Sequence, residues 1–147
     1  MGTHRNHRYV RAAVAVTAAA AAVLLATGCQ SQGGRVCTLI GAESGVTVTW
    51  QPGDFPAGAH YRLCVDGTCQ ERRDAAFLNL DMPEVTGEKQ VTVRLVVTDP
   101  AASHRTVYDR SAPFTLRRHA PNGEGCGPVV WSTGVRADPV RGLVSPV

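Results

Sequence analysis

Lysine is nearly missing from these 147 residues: Lys89 stands alone against 14 arginines. Aromatic residues make up only 5% of the chain, so any core must be filled with Val, Leu and Ala rather than with rings. Net charge is scarce as well. Arg5, Arg8 and Arg11 are the only charged side chains before Cys29, and the remainder balances twelve Arg and Lys against twelve Asp and Glu. A nucleic-acid binder needs a cationic excess to neutralise phosphates and release counterions, so that class is set aside. The length excludes a two-lobed solute-binding protein and fits one domain. With 44% hydrophobic and 18% charged residues, the chain is not disordered by composition.

Catalytic signatures are absent too. His60, His104 and His119 are too widely spaced for a zinc motif, and no His-Glu-x-x-His occurs. Ser44-Gly45 and Ser132-Thr133-Gly134 lack the Gly-x-Ser-x-Gly elbow of a hydrolase. Cys64 and Cys69 enclose four residues rather than two, which removes the redox-active Cys-x-x-Cys reading. Asp54, Asp66, Asp74, Asp81, Glu84 and Glu88 fall largely in expected turns, where a carboxylate shapes the backbone. No catalytic residue, metal ligand or cofactor site is therefore expected. The doublets Arg72-Arg73 and Arg117-Arg118 read as solvated strand ends, able to touch anionic headgroups if a membrane is near.

A basic start leads into Ala12 to Ala26, fifteen uncharged and mostly apolar residues, and then Thr27-Gly28-Cys29. As a helix this run reaches about 22 Å, short of the roughly 30 Å hydrocarbon core, so it reads as a secretory signal helix over residues 1–28 rather than a permanent span. The n-region contains no Arg-Arg pair, which favours general (Sec-type) export over the twin-arginine route. Leu25-Ala26-Thr27-Gly28-Cys29 resembles the lipobox of bacterial lipoproteins, with alanine in the relaxed actinobacterial manner where leucine is usual three residues before the cysteine. The resemblance implies cleavage before Cys29, a diacylglyceryl thioether on its sulfur, and residues 29–35 as a lipidated tether to the outer face of the cytoplasmic membrane. Two acyl chains suffice for stable anchoring.

Cysteine parity points the same way, because acylating Cys29 leaves four thiols: Cys37, Cys64, Cys69 and Cys126. In an oxidising compartment four cysteines form two bonds in one of three pairings. Cys64-Val65-Asp66-Gly67-Thr68-Cys69 places Asp-Gly at the centre of a type I′ hairpin, which sets Cys64 opposite Cys69 within disulfide reach. Cys37 then pairs with Cys126.

The apolar pattern after Cys29 has period two. Val91, Val93, Leu95 and Val97 alternate with partners of the other face, as do Val46, Val48 and Trp50, then Tyr61, Leu63 and Val65, then Ala112, Phe114 and Leu116. Further strands are expected at 36–40, 68–73, 75–80 and 105–108, bounded by turn residues. About seven strands in residues 36–120 imply an all-β, antiparallel two-sheet sandwich. Gly45 to Trp50 followed by His60-Tyr61-Arg62-Leu63 resembles strands B and C of a fibronectin type III or immunoglobulin-like domain, with Val91 to Thr98 as strand F and the segment through Leu116 as strand G. No tyrosine stands near Gln90 to make the tyrosine corner, so a small barrel is the alternative fold. Residues 121–147 read as a Gly- and Pro-rich extension stapled by Cys126, with 129–131 adding an edge strand and the last ten residues frayed.

The sandwich topology implies that the loops 51–58 and 99–104 emerge at one end, which makes Phe55, His60 and His104 neighbours. Phe55 then serves either as an exposed anchor for a partner or, as favoured, as a plug over the open end of the core. The whole is expected to be a lipid-anchored extracytoplasmic binding or interaction module of the bacterial envelope. It would meet the membrane through its lipid and meet an envelope protein or cell-wall partner through the domain. The alternatives are an accessory subunit of an envelope enzyme and a purely structural envelope protein.

Overall fold

A computed structural model describes residues 36–146, and the signal segment, Cys29 and the tether lie outside them. The described residues form eight strands and no helix: β1 (Gly45–Thr49), β2 (His60–Val65), β3 (Thr68–Arg73), β4 (Phe77–Asp81), β5 (Lys89–Asp99), β6 (Arg105–His119), β7 (Val130–Asp138) and β8 (Gly142–Val144). The all-β expectation holds, and the alternating residues do turn inward. Val46 and Val48, Leu63 and Val65, and Val91, Val93, Leu95 and Val97 are all essentially inaccessible to solvent. Each such side chain contributes about 1.5 to 3 kcal/mol of hydrophobic stabilisation.

The ladder runs β3-β2-β5-β6-β7-β1-β4, with β8 added to β7. It is mixed rather than wholly antiparallel, because β1 runs parallel to β7 with Gly45 opposite Ser132 and Thr49 opposite Arg136. One long strand joins its halves. The segments expected separately at 105–108 and 112–116 are a single β6, which pairs with β5 from Arg105 to Leu116 and then with β7 through Arg117, Arg118 and His119. Pro113 lies inside it, tolerated where the strand has a ladder partner on one side only. The end strands β3 and β4 approach each other closely enough for the Gln70 amide to donate to the Asn79 carbonyl. The sheet therefore curls almost into a barrel.

Three local expectations are corrected. Residues 36–40 form no strand: Ile40 exchanges its backbone bonds with one side chain, its N–H donating to Asn122 Oδ1 at 2.7 Å and its carbonyl accepting from Asn122 Nδ2 at 3.0 Å. A buried asparagine amide thus does locally what a neighbouring strand would. The edge strand expected at 129–131 is the nine-residue β7, seated between β6 and β1 in the interior of the ladder. The last ten residues are not frayed throughout, since β8 at Gly142–Val144 pairs with β7 and buries Leu143.

Both disulfides are formed as expected, Cys64–Cys69 and Cys37–Cys126. In the first, Val65 faces Thr68 around an Asp66-Gly67 turn with φ of 47° and 89°, the left-handed pair a type I′ hairpin requires. Cys64 and Cys69 then face each other with their α-carbons 4.0 Å apart.

The turn from β7 into β8 carries its own pH signature. Asp138 Oδ1 accepts the N–H groups of Arg141 and Val140, both at 2.9 Å, and Oδ2 accepts from the Arg141 guanidinium. These bonds hold its carboxyl at about 2, below the ordinary 3.8. A depressed carboxylate stabilises the fold fully above its unfolded value and loses that contribution as pH falls through its folded value. Thermal stability of the native chain should therefore fall more steeply between pH 4 and pH 2 than that of Asp138→Asn. Parallel curves would remove this role.

Candidate functional site

Strand polarity gives the domain two poles. The starts of β1, β5 and β7 and the ends of β4 and β6 lie at one, with the segment 36–44 and the Cys37–Cys126 bond. The loops 50–59, 74–76 and 99–104 lie at the other. Thr98 faces His60 across β5 and β2, and a β-carbon on Gly58 would meet Pro100 at 3.9 Å, so the loops 51–58 and 99–104 do share an end.

Of the three residues expected to meet there, two do so directly. The rings of His60 and His104 lie edge to face with centroids 5.7 Å apart. Phe55 turns inward instead, its ring 5.2 Å from Tyr108, 5.9 Å from Trp50 and 6.0 Å from Tyr61, while Trp50 and Tyr61 stack at 4.4 Å. This is the plug, and it gathers four of the chain's eight aromatic residues at one place. Edge-to-face and stacked pairs each add about 0.5 to 1.5 kcal/mol beyond burial. Burial raises the phenol pKa of both tyrosines: Tyr61 is raised further by the charge of Asp74, whereas Arg110 partly opposes the shift at Tyr108. The Tyr108 hydroxyl is buried with no hydrogen-bond partner among the described residues.

Two carboxylates of this pole are engaged in turns, as the sequence suggested. Asp54 accepts the Gln51 N–H at 2.8 Å, and Asp99 accepts that of Ala101 at 2.9 Å. At the other pole Asp66 does similar work, taking the Thr92 N–H at 2.8 Å and the Lys89 ammonium at 3.0 Å, which lowers its pKa.

The outer face of the β3-β2-β5-β6 sheet is polar and shallowly grooved. Residue pairs stand in register across it: Arg73, His60 and Thr98 in one row, Glu71, Arg62, Val96 and Asp109 in the next, and the Cys69–Cys64 bridge beside Arg94 in the third. Two ion pairs cross it, Arg62–Glu71 at 3.6 Å and Arg94–Asp109 at 2.7 Å. The second is a forked contact that lowers the Asp109 pKa. The groove nearest the loop pole has a volume of about 530 Å³ and is lined by His60, Arg62, Glu71, Arg72, Arg73 and Thr98 among others.

Sequence reasoning read Arg73 only as part of a solvated strand end and passed over Asn122. Arg73 was within reach, because counting the hairpin outward from Cys64–Cys69 by two residues at a time pairs Arg62 with Glu71 and His60 with Arg73. Asn122 gave no such signal, since nothing local marks an asparagine that will bond a segment 82 residues away. Comparison with known protein families, with characterised proteins and with solved structures finds no match to this chain.

Proposed function

We propose that the chain is a lipid-anchored extracytoplasmic binding module, tethered to the outer face of a bacterial cytoplasmic membrane through Cys29. The observation that carries this reading is the cysteine arithmetic: Cys37, Cys64, Cys69 and Cys126 are closed into two disulfides, which leaves Cys29 as the odd thiol at the end of a lipobox-like segment. Polarity adds support. Cys37, the first residue of the folded unit, lies at the pole opposite the histidine loops, and six extended residues reach at most about 20 Å. That pole exposes Leu39, Ile40 and Val129, side chains suited to a lipid interface, together with the cationic Arg117.

The finer fold reading belongs with this proposal. The order β3-β2-β5-β6 is that of strands C′-C-F-G in an immunoglobulin-like domain, and β1 beside β4 is that of B beside E. The parallel β1–β7 pair and the near-closure of the sheet are departures from that family.

Detergent phase partition of the expressed full chain tests the anchor. The native protein should enter the detergent phase and Cys29→Ser the aqueous phase. Recovery of Cys29→Ser in the detergent phase would overturn lipidation at this residue.

A further inference from the structure

The groove beside the histidine pair has a one-sided chemistry. Arg62, Arg72 and Arg73 line it with Glu71, which Arg62 already engages. Arg62 and Arg73 share the outward face with His60, whereas Arg72 is the register partner of inward-facing Tyr61 and stands at the groove's edge. Arg73 is the register partner of His60 on β3, and Thr98 is its partner on β5. His104 joins from the loop on a left-handed backbone, with φ of 61° following Ser103 at 53°. Two successive non-glycine residues in that region are costly, and such positions concentrate at functional sites. Of the other carboxylates of the pole, Asp54 and Asp99 are turned into their own loops, while Asp74 follows Arg73 at the end of β3 and places its charge near Tyr61. A ligand approaching here therefore meets N–H donors and positive charge, with little to accept its own protons.

Planar guanidinium forks beside imidazole N–H groups match tetrahedral oxyanions. A metal ion is disfavoured by the adjoining guanidinium charge, and no group of three or more His, Cys, Asp or Glu among the described residues is placed to hold one. We propose that Arg73, His60 and His104 form a binding site for a phosphate-bearing ligand, a phosphomonoester or phosphodiester, with Arg72 adding charge at its edge. The site rests on reading the domain as a binding module but not on its lipid anchor. A soluble or polymeric ligand and a lipid headgroup offer the same phosphate chemistry, and the titration separates them.

The test is an NMR titration of histidine-labelled full chain with inorganic phosphate at constant ionic strength, followed through the imidazole resonances. The His60 and His104 signals should shift saturably and together. Arg73→Ala and His104→Ala, both at exposed positions, should each weaken binding about tenfold or more, as expected for loss of a charge-assisted contact. Arg117→Ala at the opposite pole should leave it unchanged. Absence of a saturable shift, unchanged affinity in Arg73→Ala, or a response to zinc chloride but not to phosphate would overturn the site. So would a response to phosphatidylglycerol bicelles without one to free phosphate, which would mark a headgroup contact. Cys29→Ser should bind phosphate as the native chain does. A native chain that proves unanchored yet binds would sink the anchor alone, and a native chain that is anchored but does not bind would sink the site alone.

Discussion

Replacing Cys37 and Cys126 together by serine is expected to lower the free energy of unfolding by about 4 to 5 kcal/mol, more than any other change at the cysteines. The magnitude comes from the loop each bond closes. With 89 residues of separation the Cys37–Cys126 link removes far more freedom from the unfolded chain than Cys64–Cys69, separated by 5, for which the same reasoning gives about 2 kcal/mol. The long bond also holds residues 36–40 against the domain, a segment with no ladder partners whose remaining ties run through Asn122. Urea unfolding of the two double variants under non-reducing conditions compares them directly. A midpoint for Cys37→Ser/Cys126→Ser no lower than that for Cys64→Ser/Cys69→Ser would contradict this ranking.

Gly45→Ala should cost on the order of 3 kcal/mol or more, through backbone conflict rather than lost packing. Gly45 begins β1 with φ of 153°, and a β-carbon there would stand 2.2 Å from the Leu80 carbonyl oxygen. No flexible side chain can yield, because the obstacle is the β4 backbone. Strand β1 cannot move away either, being held between β4 on one side and β7 on the other. Gly87→Ala is the natural control, since its β-carbon would meet nothing within 4 Å, and it should change stability by less than about 0.5 kcal/mol. Equal unfolding midpoints for the two variants would show that β1 and β4 are not registered as described.

Much of this architecture was legible because β1, β2, β5 and much of β6 each bury one face against the core, and period-two alternation is the direct imprint of that burial. Val91, Val93, Leu95 and Val97 are the clearest case. Strand β7 left no such imprint. It buries Val130, then Val135 and Ala137, so its inward positions change phase along the strand, with exposed Gly134 between them. Its parallel pairing with β1 joins segments more than 80 residues apart and depends on no turn chemistry that local residues could announce. The hairpin disulfide was readable for the opposite reason, since Asp66-Gly67 specifies its turn and the register follows outward by counting. That same counting reaches Arg73 opposite His60, whereas the contact between His60 and His104 needed the sandwich topology to bring two loops to one pole. Phe55 was resolvable only as a choice between plug and anchor until its neighbours Trp50, Tyr61 and Tyr108 were in place.

On the function proposed above, an acylated Cys29 sulfur would hold the domain at the membrane. Mass spectrometry of the mature protein isolated from membranes reads that atom directly. The expected N-terminal peptide begins at Cys29 and carries a diacylglyceryl group on its sulfur. A mature chain that begins at any other residue, or that begins at Cys29 with an unmodified thiol, would contradict the anchored reading.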